Sequence, residues 1–119
     1  MPDSPVIDPE ALERLRKWGG EDLAIRMIEI FLGHTPERIQ QIREGTAKRD
    51  ARGAETGAHS LKSSAGNLGA ARLQSLCQAA EMLAEAKEFG AMEGIMEELE
   101  REYDAAREEL KRIMEGMEG

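Results

Sequence analysis

Apolar residues recur every three or four positions along the last third of the sequence. The series comprises Met92, Ile95, Met96, Leu99, Tyr103, Ala106, Leu110 and Ile113. Because an α-helix has about 3.6 residues per turn, this spacing places all of these side chains on one face. The sequence therefore predicts a long amphipathic helix whose apolar face belongs to a helical core.

The composition favours helices over strands in the rest of the chain as well. Only four of the 119 residues are aromatic, whereas Ala, Leu, Glu, Met, Arg and Lys are abundant. Those six residue types are strong helix formers. A chain of this length with 40% hydrophobic residues can enclose one modest core. We expect one all-α domain over residues 1–119, with an ordered core from about residue 7 to 114 and frayed ends.

Two short signals delimit the first helix. Asp8 is a typical N-cap residue and Pro9 suits the first helical turn, whereas Gly19-Gly20 ends the pattern. A second apolar pattern then covers about residues 21–48. These residues predict a short N-terminal helix followed by a longer one.

Thr35-Pro36 interrupts the second pattern, because proline has no amide hydrogen to donate and crowds the preceding turn. Two structures are compatible with this pair: the helix bends there, or Thr35 caps a new helix.

Two further helices are indicated after residue 48. Asp50 can cap the first of them, which ends near Gly69, and a further pattern covers about residues 71–87.

Short loops separate all of these helical patterns. Helices joined in this way pack against their sequence neighbours with opposite directions, and four of them can enclose a core. We therefore predict an antiparallel up-down four-helix bundle with an additional short N-terminal helix across one end. A monomer needs no special assumption.

The charge balance excludes several classes of partner. The net charge is −8, from 24 acidic and 16 basic side chains, so the surface repels nucleic acid backbones and anionic lipid headgroups. The N-terminal stretch MPDSPVIDPE lacks the basic and apolar regions of a signal peptide. No apolar run approaches the roughly 20 residues that span a bilayer. We expect no nucleic-acid partner and no membrane partner.

Cys77 is the only cysteine, so no internal disulfide can form. A chain without disulfides is typical of a reducing compartment, which favours a cytoplasmic location. Cys77 lies in an apolar series with Leu73, Leu76 and Ala80, and this spacing predicts a small buried hydrophobic side chain.

The stretch AHSLKSSAGNLGA, residues 58–70, carries one ionisable ring among small residues. At about 100° per residue, its helix has one apolar stripe. The stripe consists of Ala54, Ala58, Leu61, Ala65 and Leu68. His59 points away from this stripe. Lys62, Ser63 and Gly66 lie within about 60° of His59 around the helix axis. The helix therefore presents His59 on an exposed face without bulky side chains.

Small residues around His59 allow the backbone of another protein to approach the ring. Gly66 lies in a helix interior, where glycine costs about 1 kcal/mol relative to alanine, so a role other than stability is indicated. Imidazole has an unperturbed pKa of about 6.5 and needs no base to expose a nucleophilic lone pair near pH 7. The Lys62 ammonium, one turn further along, is suited to holding phosphoryl oxygens. These residues indicate that His59 carries a phosphoryl group.

The sequence from His59 to Gly69 resembles the histidine-containing phosphotransfer (HPt) domain family of two-component phosphorelays. The family pattern is roughly H-x-L-K-G-S-[SA]-x-x-[LV]-G, and this chain reads HSLKSSAGNLG. The segments IDPEALERLRKWGG, FLGHTPERIQQI and LQSLCQAAEML also resemble family counterparts. Ser63 replaces the glycine that usually follows the lysine. Its hydroxymethyl group either narrows the docking face or donates a hydrogen bond to the phosphoryl group.

The resemblance implies that His59 accepts a phosphoryl group from the aspartyl phosphate of a response-regulator receiver domain and passes it to another receiver. Lys62 would lie near the phosphoryl group, and Ser63 and Gly66 would contact the partner. The divalent metal of the reaction belongs to the receiver, so no cofactor is expected in this chain. The sequence contains no P-loop or kinase domain, which predicts a phosphoryl carrier and not an enzyme.

Two alternatives remain open at the level of the sequence. One is a non-catalytic helical protein that binds and regulates a kinase or receiver without carrying phosphate. The other is the phosphotransfer module of a chemotaxis-type histidine kinase, which receives phosphate from an ATP-binding domain. A hybrid histidine kinase is a further possible partner of the leading interpretation.

Overall fold

The computed structural model describes residues 5–118, and within this range the secondary structure consists of four helices and no strands. The helices are α1 (Pro9–Lys48), α2 (Ala51–Asn67), α3 (Ala71–Glu85) and α4 (Phe89–Glu118). The all-α prediction is therefore confirmed. None of these helices combines the length and the apolar character that a bilayer crossing requires.

α1 begins at the predicted signals and is kinked at the predicted glycines. The Asp8 carboxylate accepts a hydrogen bond from the Glu10 amide at 3.0 Å, and Pro9 occupies the first turn. Gly20 has φ of +77°, a left-handed conformation that glycine adopts without a steric penalty. This kink separates residues 9–18 from the rest of α1, so the predicted short first helix is present as the segment before the kink.

α1 continues through Pro36 without a second break, which decides between the two structures compatible with Thr35-Pro36. Thr35 does not cap a new helix. Its buried hydroxyl donates a hydrogen bond to the Phe31 carbonyl at 2.7 Å, one turn earlier in the same helix. This back-bonding is the usual way in which threonine satisfies its hydroxyl inside a helix.

Each helix packs against two others, in the order α1–α2–α3–α4 and back to α1. The links between consecutive helices are only two or three residues long, so neighbours run in opposite directions. α1 and α2 approach closely at Gly45, where a Cβ atom would lie 2.5 Å from the Ala54 nitrogen. The Asp8 amide donates to the Gly69 carbonyl at 2.8 Å, which holds the start of α1 against the α2–α3 turn. The predicted four-helix bundle is therefore confirmed.

The core contains side chains from all four helices. Its largest fully buried members include Ile28, Ile42, Leu61, Leu68, Leu73, Met92, Leu99 and Leu110. The rings of Phe31 and Tyr103 pack with their centroids 5.9 Å apart. α4 stays helical to Glu118, past the residue where the sequence predicts the ordered core to end. The sequence predicts frayed ends on both sides of residues 7–114, and of these end residues 1–4 and 119 lie outside the described residues.

Candidate functional site

His59 lies on the exposed face of α2, as the helical wheel predicts. Its side chain is 62% exposed. The opposite face of the same helix is buried in the core, with every member of the predicted apolar stripe at most 1% exposed: Ala54, Ala58, Leu61, Ala65 and Leu68. Burial of this stripe fixes the rotation of α2 about its axis, and that rotation directs the imidazole outward.

Glu81 of α3 contacts the side chains of both His59 and Lys62. One carboxylate oxygen, Oε2, lies 2.8 Å from His59 Nδ1, and the other, Oε1, accepts a hydrogen bond from Lys62 Nζ at 2.7 Å. The Glu81 side chain is only 15% exposed. The structure therefore brings His59 and Lys62 together through a third residue that the sequence does not single out. Glu81 lies 22 positions from His59 on another helix, so no local spacing signals the contact.

The charge of Glu81 determines which ring nitrogen of His59 carries the proton. The hydrogen bond from Lys62 is the main cause that lowers the pKa of Glu81, and the hydrogen bond to His59 adds to it against the opposing effect of burial. An ionised carboxylate only accepts hydrogen bonds, so His59 Nδ1 is the donor in this contact. The neutral ring then has its lone pair on Nε2, on the side away from Glu81. This is the tautomer that a nucleophilic Nε2 requires.

The imidazole lies in an open depression of about 560 Å³, which Glu55 and Glu81 also line. Its other lining residues are small and polar: Thr56, Ser60, Ser63 and Ser64. Ser63 is exposed, as its predicted role in partner binding requires. No aromatic or long aliphatic side chain lines this depression within the described part of the chain. Another protein can therefore approach the ring without displacing a bulky group.

Gly66 has a different local environment from the one that the sequence suggests. A Cβ atom at this position would lie 2.5 Å from Nε2 of Gln74 on α3. The small size of Gly66 therefore leaves room for the end of a side chain of the neighbouring helix. Its predicted contact with a partner stays a prediction.

Three carboxylates cluster on the α3 side of His59. Glu55, Glu81 and Glu85 each offer an oxygen, and these oxygens lie within 4.8 Å of one another. The hydrogen bond with Glu85 is the main cause that raises the pKa of Glu55, with burial and the negative charges of the other two carboxylates adding to it. Carboxylates in this arrangement are the ligand type that hard cations prefer. Both oxygens of Glu81, however, already accept hydrogen bonds from His59 and Lys62.

Cys77 is buried in the core, as predicted. Burial raises the pKa of its thiol to about 12. The sulfur therefore stays protonated at neutral pH, and a protonated thiol is neither a good nucleophile nor a good metal ligand.

Comparison with known proteins gives one family and one solved structure. The family model described as Hpt domain matches residues 26–109. The chain is also similar to the crystal structure of histidine-containing phosphotransfer protein B (HptB) from Pseudomonas aeruginosa PAO1, with a TM-score of 0.88 and 26% sequence identity. The match covers 95% of this chain and 97% of that one. No significant match was found among curated proteins.

The family match covers well over half of the chain, and the structural match covers nearly all of both chains. The fold, the helix order and the exposed histidine of α2 agree with this assignment. Proteins of the family are phosphoryl carriers whose partners are response-regulator receiver domains. The chain therefore belongs to the Hpt domain family, the histidine phosphotransfer proteins of phosphorelay signalling.

Proposed function

We propose that His59 is the residue that carries the phosphoryl group, with Nε2 as the nucleophile. The observation that carries this proposal is the contact between His59 Nδ1 and the Glu81 carboxylate at 2.8 Å, which leaves Nε2 with its lone pair in an open depression. His34 is the other histidine of the sequence, and its Nδ1 lies 3.8 Å from the nearest carboxylate oxygen, that of Glu37. Only His59 combines exposure with a fixed tautomer.

The transfer step needs no proton to leave the ring before attack. The Nε2 lone pair attacks the phosphorus of an aspartyl phosphate on the receiver, and an N–P bond forms as the P–O bond to the aspartate breaks. The aspartate leaves as a carboxylate. The His59 ring then carries a positive charge as long as Nδ1 keeps its proton, and the Glu81 carboxylate stabilises that charge. The reverse step returns the phosphoryl group to the carboxylate of a second receiver.

Lys62 has two roles in this proposal. It keeps Glu81 ionised through the hydrogen bond at 2.7 Å, and it lies one turn along α2 from His59. Its side chain is 26% exposed, so its ammonium group can also reach the oxygens of a phosphoryl group whose phosphorus is bound to Nε2. A lysine in this position stabilises the phosphorylated form by charge, without taking part in bond making.

The proposal extends to the remaining functional assignments. Ser63 contacts the docked receiver, and Gly66 lies beside that contact. The receiver supplies its own divalent metal, and residues 1–119 form one domain that acts as a monomeric carrier without kinase activity of its own. We place the exchange in the cytoplasm, in accord with the single buried cysteine. A hybrid histidine kinase is the upstream source that suits such a carrier.

The test follows label from a phosphorylated receiver onto the protein and its variants. The wild-type protein should acquire acid-labile, alkali-stable label, and His59→Gln should acquire none while still binding the receiver. His34→Gln is the matched control, because the two histidine side chains are equally exposed at 62% and only His59 has the close carboxylate. Label that persists on His59→Gln would refute the assignment. Binding of the wild-type protein without any label would instead indicate a non-catalytic regulator.

A further inference from the structure

The Arg38 side chain of α1 contacts the residue that directly follows His59. Its Nε donates a hydrogen bond to Oγ of Ser60 at 2.9 Å. Ser60 lines the depression that holds the imidazole and also a second depression, of about 160 Å³, which Arg38 itself lines. The two depressions therefore meet at Ser60, and the guanidinium lies at the border of the one that contains the ring.

Arg38 and Lys62 lie on opposite sides of His59 around the axis of α2. At about 100° per residue, Ser60 is about 100° from His59 in one direction, and Lys62 is about 60° away in the other. The Lys62 side is bound to α3 through Glu81, whereas the Ser60 side is bound to α1 through Arg38. Because Nδ1 of His59 contacts Glu81, Nε2 is on the far side of the ring from α3. The nucleophilic nitrogen is therefore on the side of the site where Arg38 lies.

The positive charge of Arg38 is not neutralised by a carboxylate. Arg38 takes part in none of the ion pairs within residues 5–118. Its hydrogen bond to Ser60 uses Nε, so the terminal nitrogens Nη1 and Nη2 keep their donors for another acceptor. A guanidinium that is fixed at Nε and open at both Nη atoms is suited to bind the oxygens of a phosphoryl group.

The charge balance of the phosphorylated site requires a further cation. A phosphoryl group carries close to two negative charges near neutral pH, and the His59 ring carries one positive charge while Nδ1 keeps its proton. The charges of Lys62 and Glu81 cancel each other, so about one negative charge remains, and the neighbouring carboxylates of the acidic cluster add to it. Among the described residues, Arg38 is the one arginine or lysine that lines either depression. It is therefore the group placed to supply the missing charge.

We propose that Arg38 is a second phosphoryl-binding residue, held by Ser60 so that its terminal nitrogens donate hydrogen bonds to the oxygens of the phosphoryl group on His59 Nε2. This inference rests on the proposed function of His59, because it names a further ligand of the group that His59 carries. Arg38 touches that group but forms and breaks no covalent bond. Ser60 is a positioning residue, because it acts through Arg38.

The expected effect of Arg38 is a longer lifetime of phosphohistidine. In hydrolysis the N–P bond breaks and its electron pair returns to Nε2, while a water oxygen bonds to phosphorus and dihydrogen phosphate leaves; Nδ1 keeps its proton throughout. The loose transition state resembles metaphosphate, which carries one negative charge where the bound phosphoryl group carries two. A cation beside the phosphoryl oxygens therefore stabilises the phosphorylated form more than the transition state and slows hydrolysis.

The first experiment measures the decay of phosphohistidine without a receiver present. Each protein is loaded from a phosphorylated receiver, separated from it, and followed by loss of acid-labile label at neutral pH. Arg38→Ala should decay about three-fold to ten-fold faster than the wild type. Arg26→Ala is the matched control, because it removes the same charge from an exposed position of α1 that lines neither depression, and it should decay at the wild-type rate. A first-order decay rate does not depend on how much label a variant has acquired.

Ser60→Ala tests how Arg38 is held. Loss of the Oγ acceptor releases Nε, so the phosphohistidine of this variant should also decay faster than that of the wild type. In the Arg38→Ala background the same substitution should have no further effect, since no guanidinium is left to position. Additive effects of the two substitutions would overturn the positioning role of Ser60.

Nitrogen NMR of the guanidinium groups tests the contact in the wild-type protein itself. Phosphorylation should shift the terminal nitrogen resonances of Arg38 and leave those of Arg26 in place. Equal decay of Arg38→Ala and Arg26→Ala, or Arg38 resonances that do not move on phosphorylation, would overturn this inference. Neither result would affect the assignment of His59, which fails only if His59→Gln still accepts label or the wild type accepts none.

Discussion

The substitution Glu81→Gln tests the chemical role of the contact between α2 and α3. The carboxylate accepts two hydrogen bonds from nitrogen, at 2.8 Å from His59 and at 2.7 Å from Lys62. A glutamine side chain keeps one carbonyl acceptor and replaces the other oxygen by an NH₂ donor, so it can serve only one of these partners. The amide donor then faces either the ring nitrogen or the ammonium. In the first case Nδ1 becomes the acceptor and the Nε2 lone pair is lost.

The expected size of this effect follows from the burial of the groups. A hydrogen bond to a charged group contributes about 1.5–3 kcal/mol, and the exposure of the imidazole reduces this to about 1–2 kcal/mol. Since each 1.36 kcal/mol corresponds to a factor of ten in rate, transfer to Glu81→Gln should slow by roughly 5-fold to 30-fold at saturating receiver. The fold should be intact, because the site lies on the surface of the bundle.

Two measurements check this reasoning. Rapid-quench kinetics with phosphorylated receiver gives the rate of label transfer, and nitrogen NMR of the imidazole gives the protonated ring nitrogen. Glu85→Gln is the matched control, since Glu85 belongs to the same acidic cluster, whereas the hydrogen bonds of His59 and Lys62 are made with Glu81. An unchanged tautomer together with an unchanged rate in Glu81→Gln would refute the positioning role of Glu81.

Four further substitutions test the packing and the electrostatics of the bundle. Gly45→Ala should destabilise the folded protein by about 1–2 kcal/mol, because overpacking against the backbone of Ala54 outweighs the gain in helix propensity. Gly94→Ala has open space around it and should stabilise the folded protein by about 0.5–1 kcal/mol. The urea midpoints of the two variants should therefore shift in opposite directions. Leu61→Ala should cost about 2–5 kcal/mol, since this side chain is fully buried, and a smaller loss by urea unfolding would contradict its place in the core. Glu55→Gln tests the raised pKa of Glu55: the folded wild type holds this proton more tightly than the unfolded chain, so its stability falls as pH rises above the usual glutamate range. The variant should therefore gain stability relative to wild type between mildly acidic and neutral pH, and parallel stability curves would show that the interaction with Glu85 has no effect.

The sequence predicts those features that depend on one helix at a time. The spacing of Leu61 and Leu68 determines which face of α2 is buried, and the direction of His59 follows from it. The signals at Asp8 and at Gly20 are equally local, so the start and the kink of α1 are predictable from neighbouring residues.

Features that depend on the relative position of two helices are not predictable in this way. Glu81 reaches His59 only because α3 packs beside α2 in one register, and nothing in the spacing of the charged residues specifies that register. The same holds for Gly66, whose small size accommodates Gln74 from α3. Pro36 shows the opposite limitation: its local rule predicts a disturbance, yet α1 continues through it, and the flanking Thr35 and Ile39 are buried in the bundle.

The division of the site between two helices has a consequence for its evolution and engineering. His59 and Lys62 belong to α2, whereas the carboxylate that joins them belongs to α3, so a sliding movement of one helix along the other by a fraction of a turn separates acceptor from donors. Substitutions deep between these helices, with no contact to the ring, should therefore alter the lifetime of phosphohistidine. A directed search for variants with slower transfer or a longer-lived phosphohistidine can target the buried interface between α2 and α3 and leave every surface residue unchanged.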